Sequence, residues 1–216
     1  MARIVVLGGT GYAGTGIVTE AASRGHDVLS VSRTAPESLP AGAAHRAGDL
    51  RDETLLQEVV KGADVVIAAS APRGDLAEPG TLRAAYAAAA RIAGEQGARF
   101  GVVGGAGSTL VAEGGPQVQD TPDFPEAFTA EAKELTDVLT DLREDTTDLD
   151  WFFVSPAGGF GAHAPGERTG TYRVSDDLLL VDEAGNSALS AEDLGVAFVD
   201  EIEKPAHHRA RFHVAY

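Results

Sequence analysis

The chain contains no cysteine. A disulfide framework, a thiol nucleophile, an iron–sulfur cluster and a cysteine zinc site are thereby excluded. Basic residues are scarce: 17 Lys and Arg stand against 33 Asp and Glu, a formal charge of -16. A field of that sign repels DNA, RNA and anionic lipid, so neither nucleic acid nor a membrane is expected as a partner. Long apolar runs are missing as well. The start, MARIVVLGGTG, has only Ile4 to Leu7 before its glycines. That fits neither a signal peptide nor a spanning helix and gives a cytoplasmic location as the expectation. His207, His208 and His213 lack helical i, i+4 spacing and a cluster of carboxylates, so no metal site is expected. Ser155-Pro156 has no G-x-S-x-G elbow around it, and no histidine or acid can be assigned to Ser155.

What is present is ordinary globular composition, 44% hydrophobic and 23% charged over 216 residues. One domain spanning 1–216 is expected. Apolar runs at Ile4 to Leu7, Val28 to Val31, Val65 to Ala68, Phe100 to Val103 and Trp151 to Val154 alternate with helix-length segments. The segments are Thr15 to Arg24, Glu53 to Val60, Leu82 to Gln96 and Thr129 to Leu142, with Asp52 and Thr81 as N-caps and Gly97 past an end. That rhythm predicts βαβ units in a mostly parallel, doubly wound α/β sheet of Rossmann type, with helices on both faces. Ser190-Ala191-Glu192-Asp193 reads as a capping-box-like start to a helix reaching Ile202, followed by a strand near Arg211 to Ala215. Two long connections, 104–125 and 156–173, follow predicted strands. They emerge at the carboxyl edge, where open α/β sheets bind ligands, and are read as substrate loops.

Gly8-Gly9-Thr10-Gly11-Tyr12-Ala13-Gly14 follows the first strand and opens a helix. Glycine there permits a tight turn, approach of backbone to a pyrophosphate, and close packing of the helix, whose free N–H groups and dipole favour phosphate. The second strand ends in Ser32-Arg33, where an NAD site usually carries a carboxylate on the ribose. A guanidinium suits a ribose 2′-phosphate, with Ser32 and Thr34 adding hydroxyls, so NADP(H) is favoured over NAD(H); the simpler role is a surface arginine at a strand end. Asp49-Leu50 follow a third short strand. Asp49 either receives the adenine amino group or caps the turn before Asp52.

With GDLRD at 48–52, VVGGAGS at 102–108, LDWFFVSPA at 149–157, PGERTGTYR at 165–173 and SAEDLGVAFVDEIE at 190–203, the chain resembles the atypical short-chain dehydrogenase/reductases. More closely, it resembles the NAD(P)H-binding family of NADH-flavin reductases, related to biliverdin reductase B and NmrA-like proteins. The resemblance covers almost the whole chain. It implies that Ala69, Ser70, Ala71 and Pro72, with Gly104 to Ala106, flank the ribose and nicotinamide. It also implies that Ser155, Pro156, Ala157 and Gly158 pack near the nicotinamide end.

The wider superfamily's Tyr-x-x-x-Lys pair is absent, since Thr129 stands four positions before Lys133. Lys133 either reaches a ribose hydroxyl or is a solvated helix residue. Ser108 either orients a substrate carbonyl or is a loop cap, Tyr12 either packs by the cofactor or is exposed, and His163 either lines the substrate site or is solvated. Without the tyrosine, the first expectation is hydride transfer from NADPH to a planar small-molecule acceptor, a flavin or quinone, by a monomer or homodimer. The alternatives are a cofactor-binding sensor without turnover, and an epimerase, dehydratase or ketoreductase on a small substrate.

Overall fold

A computed structural model describes residues 1–216. Eight strands form one sheet in the order β3-β2-β1-β4-β5-β6-β8-β7. They are β1 (Arg3–Leu7), β2 (Asp27–Ser32), β3 (Ala43–Ala47), β4 (Val65–Ala68), β5 (Arg99–Val103), β6 (Trp151–Ser155), β7 (Arg173–Ser175) and β8 (Ala210–Ala215). The helices are α1 (Tyr12–Ser23), α2 (Glu53–Val60), α3 (Thr81–Glu95), α4 (Thr129–Glu144) and α5 (Ala191–Glu203). All pairings are parallel except β7 with β8. The sheet is of the expected doubly wound α/β, Rossmann type. No helix is long and apolar enough to cross a membrane.

The apolar runs are central strands, and their alternate residues feed two cores. Val5, Leu7, Val66, Phe100, Val102, Trp151 and Phe153 pack against α2, α3 and α4. Ile4, Val6, Ile67, Phe152, Val154 and Phe212 pack against α1 and α5. From β1 the chain runs outward through β2 to the edge strand β3, then crosses back to β4 on the other side of β1. The carboxyl ends of β1 and β4 therefore flank the point where strand order reverses, and a crevice opens there.

Asp52 caps α2 as expected, accepting from the N–H groups of Thr54 and Leu55. Thr81 does not cap α3. The N-cap is Gly80, at φ +83°, and the cap is supplied by Glu134 of α4, whose buried carboxylate accepts from Gly80 N at 2.8 Å and Arg83 N at 2.9 Å. A tertiary carboxylate has replaced the local hydroxyl.

The α5 start is half a capping box: Ser190 Oγ accepts from Asp193 N at 3.0 Å. The Asp193 carboxylate does not reach back. It is fully buried and accepts from Thr169 N at 2.7 Å, Gly170 N at 2.8 Å and the Tyr216 hydroxyl at 2.5 Å, tying the 156–173 loop to the body of the protein. Burial pushes this carboxyl up, but the donors from Thr169, Tyr216 and Gly170 outweigh it and hold it below the usual carboxylate range.

A depressed folded pKa contributes stability that is present above the unfolded value, about 3.9, and is lost as pH falls through the folded value. Asp193→Asn is therefore expected to lower unfolding free energy at neutral pH by roughly 1–3 kcal/mol. The gap from wild type should close below about pH 4. Urea unfolding of both proteins across this range checks it; a gap that persists undiminished at low pH would show that the carboxylate's charge is not what holds the loop.

Candidate functional site

A cleft of about 380 Å³ opens at the carboxyl ends of β1 to β5, and Phe160, Gly161 and Ala162 of the loop after β6 form one wall. Its floor is the β1–α1 turn. Gly8 sits at φ +87°, and a Cβ on it would lie 2.5 Å from Ser70 Oγ and 2.9 Å from the Ala69 carbonyl carbon. A Cβ on Gly14 would lie 2.2 Å from the Gly8 carbonyl oxygen. Both glycines are demanded by the protein's own packing. Gly11 is different: its Cβ would meet only the Gly8 carbonyl oxygen, at 3.3 Å, and Ala69 O, at 3.9 Å. The space above Gly11 is therefore left for something other than protein.

Gly11 is the N-cap of α1, no side chain caps it, and the first turn carries no acid. The free N–H groups of that turn face an anion site built of backbone. A dinucleotide's pyrophosphate fits this cradle, which Gly8, Thr10, Gly11, Tyr12 and Ala13 line. Gly14 lies beneath the turn, where it lets α1 close on Gly8.

Across the cleft, Ala69, Ser70 and Ala71 form the opposing lip. Tyr86 of α3, which the sequence does not single out, fixes that lip. Its phenol accepts from Ser70 N at 2.8 Å and donates to Ser70 O at 2.7 Å, and burial pushes its pKa up. A tyrosine in an Ala-rich helix, one residue of a buried stripe, is the signal that was available.

The outer end of the cleft is charged. Ser32, Arg33, Asp49 and Leu50 line it, joined by Arg51. The Arg33 guanidinium is ion-paired with Asp75, which also lies 3.9 Å from Arg51. Asp49 accepts from Arg51 Nε at 3.0 Å and from Arg51 N at 2.9 Å, and the Arg51 guanidinium holds its carboxyl down at about 2. The Asp49 carbonyl accepts from Asp52 N, so the turn-forming role is realised.

At the inner end stand Val103, Gly104 and Leu135. Glu131 of α4 also lines the cleft and pairs with Arg73 at 3.5 Å; neither was singled out from sequence. Tyr12 donates to Pro165 O at 2.9 Å and packs on Phe160 with ring centroids 5.1 Å apart, joining the glycine turn to the second long loop. His163 stacks on Phe128 at 5.8 Å and does not line the cleft.

Four expectations are corrected. Lys133 does not reach the cleft: its side chain is 73% exposed and its ammonium pairs with Asp137 at 2.9 Å on the solvent face of α4. Ser108 is buried and does not line the cleft; it lies behind, its carbonyl accepting from Arg211 at 3.4 Å. Pro156 and Ala157 are packed inside, with Ala157 in the α1–α5 core, and neither lines the cleft. A histidine does meet Ser155, but His213 Nδ1 lies 2.9 Å from the Ser155 carbonyl and not from the hydroxyl. Burial lowers His213 to about 4, so it stays neutral, and no nucleophile arrangement results.

Sheet topology, glycine cradle and uncapped α1 define a dinucleotide-binding α/β protein. The profile of the NAD(P)H-binding family matches residues 8–205, and the chain belongs to that family. The uncharacterized protein YwnB of Bacillus subtilis is 34% identical over 217 residues, 98% of this chain and 97% of the relative. A candidate NADH-flavin reductase from Streptococcus pneumoniae TIGR4 is 34% identical with a TM-score of 0.84, covering 100% of this chain and 99% of its own. A candidate epimerase from Bacteroides thetaiotaomicron is 34% identical with a TM-score of 0.88, covering 100% and 97%.

The cradle gives a direct test. Gly11→Val, whose side chain would fill the space above the turn, is expected to abolish nucleotide binding while circular dichroism stays unchanged. Calorimetric titration with NADPH reads the first half; undiminished binding would mean that the turn serves packing alone.

Proposed function

We propose that the protein is an NADPH-dependent reductase that passes hydride to a planar, conjugated acceptor such as a flavin or quinone. The observation that carries this reading is the inner end of the cleft, which offers apolar walls in Val103, Leu135 and Phe160 and no tyrosine–lysine pair. When bound, a reduced nicotinamide supplies a hydride, and a conjugated ring that accepts it takes its remaining proton from solvent. The residues then have three tasks: Gly11 and the α1 N-terminus hold the pyrophosphate, Tyr86 sets the Ser70 lip, and the apolar walls align two flat rings and exclude water. The Streptococcus relative's designation as a candidate flavin reductase supports the same reading. An epimerase cycle, as the Bacteroides relative's designation suggests, needs a proton-transfer pair, and at the inner end Glu131 stands with Arg73 as its partner.

The preference for NADPH rests on Arg33. Its pair with Asp75 is more than half exposed on both sides and so is worth little, which lets a 2′-phosphate displace the carboxylate. Arg33→Ala is expected to weaken NADPH binding by roughly 1.5–3 kcal/mol and to leave NADH nearly unchanged. Asp75→Asn should tighten NADPH selectively. Equal effects on the two nucleotides in a comparative titration would remove the assignment.

Turnover is tested with NADPH against FMN, riboflavin and menadione. Steady NADPH oxidation with one of them is the expected result; tight NADPH binding without turnover by any acceptor would make the protein a sensor instead. Ser108→Ala and Lys133→Ala, both away from the cleft, should each change kcat by well under about 100-fold, since general acid catalysis contributes about 10²–10⁴. A loss beyond about 10⁴ in either, with NADPH affinity intact, would refute solvent as the proton source.

A further inference from the structure

A second concavity, of about 720 Å³, lies between α3 and α4, away from the nucleotide cleft. It exists because α3 turns small residues toward it, Ala87, Ala90 and Gly94, while Phe100, Leu142 and Leu149 make an apolar floor. Two arginines stand on its rim and both are already taken. Arg83 donates to both Asp141 oxygens at 2.6 Å, and Arg91 pairs with Glu95 at 2.8 Å and Glu53 at 2.5 Å. Of the remaining rim carboxylates, Asp145 pairs with Arg209 at 3.7 Å, whereas Glu144 and Asp148 are exposed and stand outside every ion pair in the molecule. The groove thus presents an apolar floor under uncompensated negative charge. A second copy of the chain would bring the same carboxylates face to face on molecules that each carry -16.

One side chain of the groove is hydrogen-bonded to the lip of the cleft. Tyr86 lines the groove, and its hydroxyl makes both hydrogen bonds that set Ser70 on the lip of the nucleotide cleft. We infer that the α3–α4 groove binds a small hydrophobic amine, its ammonium beside Glu144 and Asp148, and that Tyr86 couples its occupancy to nucleotide affinity. The coupling, though not the binding, rests on the cleft being the nucleotide site. A ligand that shifts the Tyr86 ring changes the Ser70 lip in the same movement, which is a differential contact of the kind that coupling between sites requires.

The full chain is titrated calorimetrically with 4-phenylbutylamine and with the uncharged 4-phenylbutan-1-ol. The amine is expected to bind saturably and at least about fivefold more tightly than the alcohol, and Glu144→Gln with Asp148→Asn should remove that difference. Gly94→Leu should abolish binding: Gly94 is exposed in the last turn of α3, a Cβ there makes ordinary contact with Leu149 at 3.5 Å, and leucine is the better helix former. Saturating amine should change the NADPH dissociation constant by about fivefold or more in wild type. Tyr86→Phe should bind the amine as before and lose that change.

Unaltered binding by Gly94→Leu, or equal affinity for the alcohol, overturns the site. So does a dimer in sedimentation that Gly94→Leu dissociates, since a second copy then covers the groove. An NADPH affinity indifferent to bound amine overturns the coupling. A chain that binds the amine and no NADPH at all refutes the cleft reading and leaves the groove site standing.

Discussion

Three backbone segments meet at Gly8 with no room for a side chain. The β1–α1 turn, the start of α1 at Gly14 and the segment after β4 approach so closely that a Cβ on Gly8 or Gly14 would lie within 2.5 Å of a neighbouring oxygen. The rest of the site follows from that contact. It brings the α1 N-terminus, with its unpaired donors, opposite the Ser70 lip. It also occurs where strand order reverses between β1 and β4, so no crossover helix covers the crevice. Tyr86 secures the arrangement with two hydrogen bonds made by the hydroxyl of a fully buried ring.

Around this apolar and backbone-built centre, the charged groups pair with one another. The chain is strongly acidic, yet the guanidinium groups at the outer end of the cleft are satisfied by Asp75 and Asp49. An incoming phosphate would therefore replace one anion by another. Because the Arg33–Asp75 pair is exposed, little free energy is held in it, and the exchange costs little. Asp49 is held more firmly, by backbone as well as side chain, and so keeps the shape of the turn during any such exchange.

The fold was legible where one signal dominated. Central strands buried on both faces read as apolar runs, and the glycine turn read as a cradle because its spacing and its place between strand and helix agreed. Asp52 was legible because capping is local. The misses are non-local. Glu134 caps a helix 51 residues upstream of it through Arg83, so no window around Thr81 contains the answer. The edge strand β7, Arg173–Ser175, is three residues long, mostly exposed and carries no apolar run, and Asp193 reads as half of a capping box while serving a loop over 20 residues away. Phe160 and Glu131 line the cleft because loops and helices converge there, which spacing along the chain does not encode.

Lys133 shows how a motif position can mislead when its helix face is ignored. On α4, Glu131 and Leu135 are four residues apart and both line the cleft, whereas Lys133 and Asp137, also four apart, pair with one another on the solvent face. The departure from Tyr-x-x-x-Lys is thus larger than the loss of one tyrosine. A tyrosine restored at 129 would share its face with Lys133 and Asp137 and not with Glu131, so it would stand in solvent as well. The α4 face that does meet the cleft offers a carboxylate and an apolar side chain, which can select and align an acceptor. The proton chemistry of the tyrosine–lysine pair has no place on that face.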